Sequence, residues 1–236
     1  MALASFQSEG STNLAVQTGE GVVDIIFHST SIAAGPRTLG GYLARPNGEG
    51  QWPTVLIFGP EPTPTSTMKD ICRVLARHGI AALAPDLTES REQNLSISLA
   101  VAAYIADPAG HWSNGQLGYG VLSFATGVDD LAALAQADTK VAASVVVSST
   151  IDPPTAEAIG DARVPGMVIL SRGDESVDVD ASIDARETME HTTFVVYPTG
   201  DTGFWDASSE GYDVKRYEDT IDRIVTFFSE HLPVRF

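Results

Sequence analysis

The chain reads as an α/β protein: a mostly parallel central sheet covered by helices on both faces. Three observations predict this. Short apolar runs rich in Val, Ile and Leu recur along the sequence; they alternate with amphipathic stretches long enough to be helices; and turn signals separate the two. Strands separated by helices of that length imply right-handed crossovers and parallel pairing. A length of 236 residues suits one such domain with a sizeable core, expected over 21–236 behind a flexible leading segment at 1–20.

The elements follow in order. Residues 22–28 and 38–45 read as an antiparallel pair joined by the Ala33-Ala34-Gly35-Pro36 turn. Residues 54–58, between Pro53 and Gly59-Pro60, have the continuous apolar character of a buried strand. Pro62 and Pro64 enforce a loop. A helix then runs to His78, capped by Ser66 or Thr67 and closed by Gly79, with Met68, Ile71, Val74 and Leu75 on one face. Residues 80–84 form the next strand and 89–105 a helix. Residues 116–119 are expected as a strand and 121–137 as the helix after it, with Gly120 at the turn between them. The β-branched run 141–147 predicts a central strand. Strands at 167–170 and 193–197 and helices at 179–189 and 217–228 complete the pattern.

Composition excludes several function classes. Asp and Glu number 31 against 14 Lys and Arg, a formal net charge of −17, which repels nucleic acid and anionic lipid. No apolar run reaches the roughly 20 residues of a membrane span, and the first 20 residues lack the basic and apolar regions of a secretory signal. Cys72 is the one cysteine, so an intrachain disulfide and a cysteine-based metal cage are excluded, and the cytoplasm is the expected compartment. No cofactor or metal is expected. A small-molecule ligand and a homo-oligomer both stay open.

Four stretches together resemble the dienelactone hydrolase family of the α/β-hydrolase superfamily: Gly41-Tyr42-Leu43-Ala44-Arg45-Pro46 with the segment from Arg73 to Leu87; the Gly118-Tyr119 turn; Ser171-Arg172-Gly173-Asp174; and Tyr197 to Phe204. The resemblance implies an α/β-hydrolase fold and a nucleophile, Asp and His in that chain order, acting on lactones or esters. It puts Asp174 at the acid position, Gly120 at the nucleophile and Thr202 at the His. Pro60 lies at or next to the place of a family Glu, with Glu61 one residue on. Leu122 stands where the tight turn usually has a small residue. Glycine offers no attacking atom, and a Thr hydroxyl is no base at neutral pH. The expectation is therefore a degenerate triad. The Val121 N–H would remain as an anion-binding spot, with Tyr119, Phe204 and Trp205 near the pocket.

Three functions follow: a binding protein for a small ester, lactone or acid; an enzyme of altered chemistry using Glu61, Asp174, Asp201 or Thr202; or an interaction protein with a filled pocket. The other conspicuous residues read as structural. Ser123 is taken as a helix serine, and Cys72 as a packing residue. His78 and His231 complement helix C-termini, while His28 and His191 lie away from the active edge. Asp129-Asp130 and Asp178, Asp180 and Asp184 read as solvated or dipole-favourable faces. His111, beside Trp112, is the one histidine worth testing.

Overall fold

Two apolar half-cores, one on each face of an eight-stranded sheet, hold the fold together. The computed structural model describes residues 21–34, 37–88, 90–107 and 112–234. The leading segment 1–20, Gly35-Pro36 of the first turn, Glu89 and His111 lie outside the described residues.

The strands are β1 (Ile25–Ala34), β2 (Arg37–Pro46), β3 (Thr54–Phe58), β4 (Ala81–Pro85), β5 (Tyr119–Phe124), β6 (Val141–Val147), β7 (Gly166–Ser171) and β8 (Thr192–Tyr197). Their order across the sheet is β1-β2-β4-β3-β5-β6-β7-β8. β2 runs antiparallel to β1 and β4, and every other pairing is parallel. The helices are α1 (Ser66–Arg77), α2 (Arg91–Ile105), α3 (Val128–Ala137), α4 (Pro153–Ala162), α5 (Val179–Asp184) and α6 (Val214–His231).

Alternation along each central strand sends side chains to the two layers in turn. From β5, Tyr119 and Val121 join α2, α3 and α4 on one face; Leu122 and Phe124 join α1 and α6 on the other. In α1 the turn-spaced Met68, Ile71, Cys72 and Leu75 face the sheet, and Thr65 supplies the cap one residue earlier than Ser66: its hydroxyl accepts from the Met68 N–H at 3.3 Å. Phe228 of α6 is fully buried; truncating such an aromatic costs about 3–5 kcal/mol.

One stretch differs from expectation in a way that moves the site. The strand expected at 116–119 lies at Tyr119–Phe124, and the helix expected from 121 begins at Val128. All six residues of β5 are buried, because it sits between β3 and β6 with helices on both faces. A strand buried on both faces is a continuous apolar run, which periodicity does not distinguish from a buried helix. Helix α4 was also not anticipated. Its signal is Asp152, whose carboxylate accepts from the Thr155 N–H at 2.9 Å, followed by Pro153 in the first turn.

Candidate functional site

At the C-terminal end of β5 the chain makes a strained reversal into α3. Ala125 adopts φ 48°, a left-handed conformation that costs a residue with a side chain about 1–3 kcal/mol. A short 3-10 turn, Ala125–Gly127, then leads into α3. Gly127 is needed because a Cβ there would lie 2.7 Å from the Phe58 carbonyl oxygen, so only glycine lets α3 start against the end of β3. Ser123-Phe124-Ala125-Thr126-Gly127 thus has the small-x-centre-x-small spacing of a nucleophile elbow, with Ala125 at the centre.

This corrects the placement of Gly120. It lies five residues upstream, inside β5, paired with Val55 of β3 and Ala143 of β6. A Cβ on it would sit 2.6 Å from the Phe228 ring, so its role is to admit α6 close to the sheet. Leu122 is buried beside the same helix and crowds no turn. Val121 is a buried mid-strand residue, and the N–H that follows the elbow centre is that of Thr126. Ser123 belongs to the strand as well, not to a helix; its hydroxyl is fully buried without a hydrogen-bond partner.

Asp174 stands in the turn after β7 and is 2 % exposed. Its Oδ1 accepts from the Thr202 hydroxyl at 2.9 Å, the Ser176 hydroxyl at 2.6 Å and the Ser176 N–H at 3.0 Å. Its Oδ2 accepts from the Ser148 hydroxyl. A buried carboxylate needs such donors, since leaving it unpaired is costly. The exposed Thr202 thus supplies one of the donors that satisfy the buried Asp174 carboxylate. Sequence reasoning missed Ser148 and Ser176. Ser148 itself has φ 55°, and the neighbouring Ser149 donates its hydroxyl to the Ala125 carbonyl. The end of β6 thereby ties the Ala125 turn to the Asp174 turn.

The loop that carries Thr202 is anchored at several points. The Ser171 hydroxyl donates to the Gly200 carbonyl at 2.6 Å, and the Thr67 hydroxyl to Asp206 Oδ1 at 2.5 Å. Arg216 donates to Thr199 and pairs with Asp213. Partial burial pushes the Asp206 carboxyl up, but the bonds from Thr67 and Ser208 outweigh it and leave it below its ordinary value.

Beside the elbow a cleft of about 200 Å³ opens between Pro60-Glu61 after β3, Thr126, Asn94 of α2, and Asp129 and Asp130 of α3. Glu61 is exposed on its border. Proline has no N–H, so Pro60 offers the cleft no backbone donor.

The remaining expected site residues lie elsewhere. The Tyr119 hydroxyl donates to Asp138 Oδ2 at 2.8 Å, at the opposite end of β5, and burial reinforced by Asp138 pushes its phenol well up. Phe204 and Trp205 are core residues: Trp205 packs on Phe124 with ring centroids 4.6 Å apart, and Phe204 meets Tyr197 edge-on. Asp201 is exposed. Cys72 is buried in α1, where desolvation pushes its thiol up and away from the reactive thiolate. Among the described residues no group of three or more His, Cys, Asp or Glu is placed to hold a metal. Nor is any helix long and apolar enough to cross a membrane.

Comparison with solved structures defines the class. A Klebsiella pneumoniae protein assigned as a dienelactone hydrolase superposes with a TM-score of 0.77 at 21% identity, covering 88% of this chain and 100% of its own. A dienelactone hydrolase-like promiscuous phosphotriesterase from metagenomic libraries gives 0.72 at 18% identity, over 89% and 99%. An esterase from Pyrobaculum calidifontis gives 0.69 at 14%, over 93% and 89%. No family profile matches the chain, and no curated protein matches it in sequence. The chain has the α/β-hydrolase fold. Within that class its scaffold is similar to the dienelactone hydrolase-like proteins and to esterases.

Proposed function

We propose that this chain is a dienelactone hydrolase-like protein that does not carry out triad hydrolysis and instead binds a small neutral ester or lactone in the cleft beside Thr126. One observation carries the reading: the strained turn that would present a nucleophile presents the methyl group of Ala125. Acyl transfer needs an attacking oxygen or sulfur beside a proton acceptor. Thr202 offers a hydroxyl where the base would stand, and that hydroxyl is engaged with Asp174. Asp174 accepts four hydrogen bonds, which argues against acid/base work of its own.

The ligand class follows from the cleft. The acidic residues Glu61, Asp129 and Asp130 on its lining and the net charge of −17 disfavour a carboxylate and favour a neutral ligand. Two measurements test the proposal. Turnover of p-nitrophenyl acetate should stay at the background rate; a rate above it, abolished by a fluorophosphonate, sinks the non-hydrolytic reading. Thermal unfolding with a panel of lactones, esters and aromatic acids should show stabilisation by the neutral compounds, about 2.7 kcal/mol at a hundredfold excess over Kd. Absence of any shift removes the binding role and leaves an interaction protein.

A further inference from the structure

On the flank of the sheet remote from the elbow, the exposed face of α6 carries Asp222, Arg223, Thr226, Phe227, Glu230 and His231. These positions fall at i, i+1, i+4, i+5, i+8 and i+9, so they cover about half of the helix circumference over about 13 Å, with Asp222 and His231 at its two borders. Together with Met167 of β7 and Thr193 of β8 they line a groove of about 380 Å³.

The order along this face is self-complementary. About a point midway between Thr226 and Phe227, Arg223 and Glu230 are equidistant, and being seven residues apart they lie on one line along the helix. Laid antiparallel against a copy of itself about a two-fold axis, that line sets Arg223 against Glu230 twice, with Phe227 meeting its counterpart on one side of the axis and Thr226 its counterpart on the other. Arg223 and Glu230, the charged residues on the facing line, thus each meet one of opposite sign. A half-buried Phe at the middle and charges outside it is also the anatomy of a protein interface. Arg223 donates its Nε–H to Asp219 at 2.8 Å, which fixes the guanidinium on this face with further N–H groups to offer.

A second, independent observation lies alongside. β8 closes the sheet on this side, and its sequence Thr-Thr-Phe-Val-Val-Tyr contains neither charge nor proline, the usual guards of an uncovered edge. Each chain also carries a net charge of −17, so two copies repel except where charge is locally matched.

We propose that two copies of this chain associate through this face, α6 against α6 in antiparallel sense, about a two-fold axis passing beside Thr226 and Phe227. Such an isologous contact closes on itself and yields a dimer, not a filament.

The test is a charge swap on the full chain, read by sedimentation equilibrium. Wild type should have about twice the 25.0 kDa monomer mass at micromolar concentration. Glu230→Arg sets arginine against Arg223 on both sides of the axis and should weaken the dimer on the order of tenfold or more. Arg223→Glu should do the same, and the double variant should restore association, because the swap rebuilds both pairs. Thr226→Arg, at the centre, should abolish it and serves if either charge variant fails to fold. A monomeric wild type overturns the proposal. So does a dimer indifferent to Glu230→Arg and Thr226→Arg, or a double variant no better associated than the single ones.

Discussion

Replacing Gly120 by Ala decides whether that glycine serves a turn or the packing of a helix. The added Cβ would lie 2.6 and 2.9 Å from two atoms of the Phe228 ring and 3.1 Å from Val55 Cγ2. The ring is fully buried in the α1–α6 half-core, so it has no open space to swing into. Overpacking of this kind costs about 1–3 kcal/mol. The gain from replacing a strand glycine, about 0.5–1 kcal/mol, offsets part of it. Taking the middle of each range, the net loss is about 1 kcal/mol, a fall of roughly 2–4 °C in Tm for a domain of this length. Differential scanning calorimetry should show the drop, and it should shrink in a Phe228→Leu background, where the ring is gone and the two changes couple. An unchanged or higher Tm for Gly120→Ala, or an equal loss in both backgrounds, refutes the packing role.

Three further outcomes follow from the geometry. Gly127→Ala meets the backbone of Phe58 and Gly59, which yields less readily than a side chain, so its loss of Tm should exceed that of Gly120→Ala in the same calorimetric assay. Thr202→Val removes a donor from buried Asp174 and should cost about 1–3 kcal/mol by urea unfolding, with Thr202→Ser recovering most of it. The folded Asp206 carboxyl titrates below its unfolded value of 3.8, so its stabilising contribution is complete above that pH and is lost as pH falls through the folded value. Asp206→Asn should accordingly flatten the acid end of a Tm-versus-pH curve below about pH 4.

How much of this was legible in the sequence depends on what each residue's pattern could signal. The run 141–147 declares itself by β-branched content, and the structure places β6 there; the antiparallel pair at the start is present as well, but β1 covers Ile25–Ala34 instead of 22–28 and takes in Ala33-Ala34 of the expected turn. β5 is apolar without alternation, which lets Gly120 pass for a turn when it lies inside the strand. The signal lay five residues on, where Ser123, Ala125 and Gly127 keep small side chains at every second position. Gly127 in particular makes no sense in a helix interior, and it does so at once beside the end of β3. Local motif order singles out Asp174 and Thr202, and the structure joins the two side chains by a hydrogen bond. Ser148 and Ser176 could not be found that way. They converge on the Asp174 carboxylate from two turns whose approach is a product of the sheet, and neither turn has a spacing that advertises it. Phe204 and Trp205 read equally as pocket wall or core, and only the packing of Phe124 against Trp205 decides for core.

The most direct test rebuilds the missing chemistry in two places and compares them by intact-protein mass after exposure to an activated ester. Ala125→Cys with Thr202→His should acquire a single acyl group and turn the ester over slowly. Gly120→Cys with Thr202→His should acquire none while folded, since that position points into α6. Acylation of the unmodified chain, or of the Gly120 variant in preference to the Ala125 one, would contradict the account.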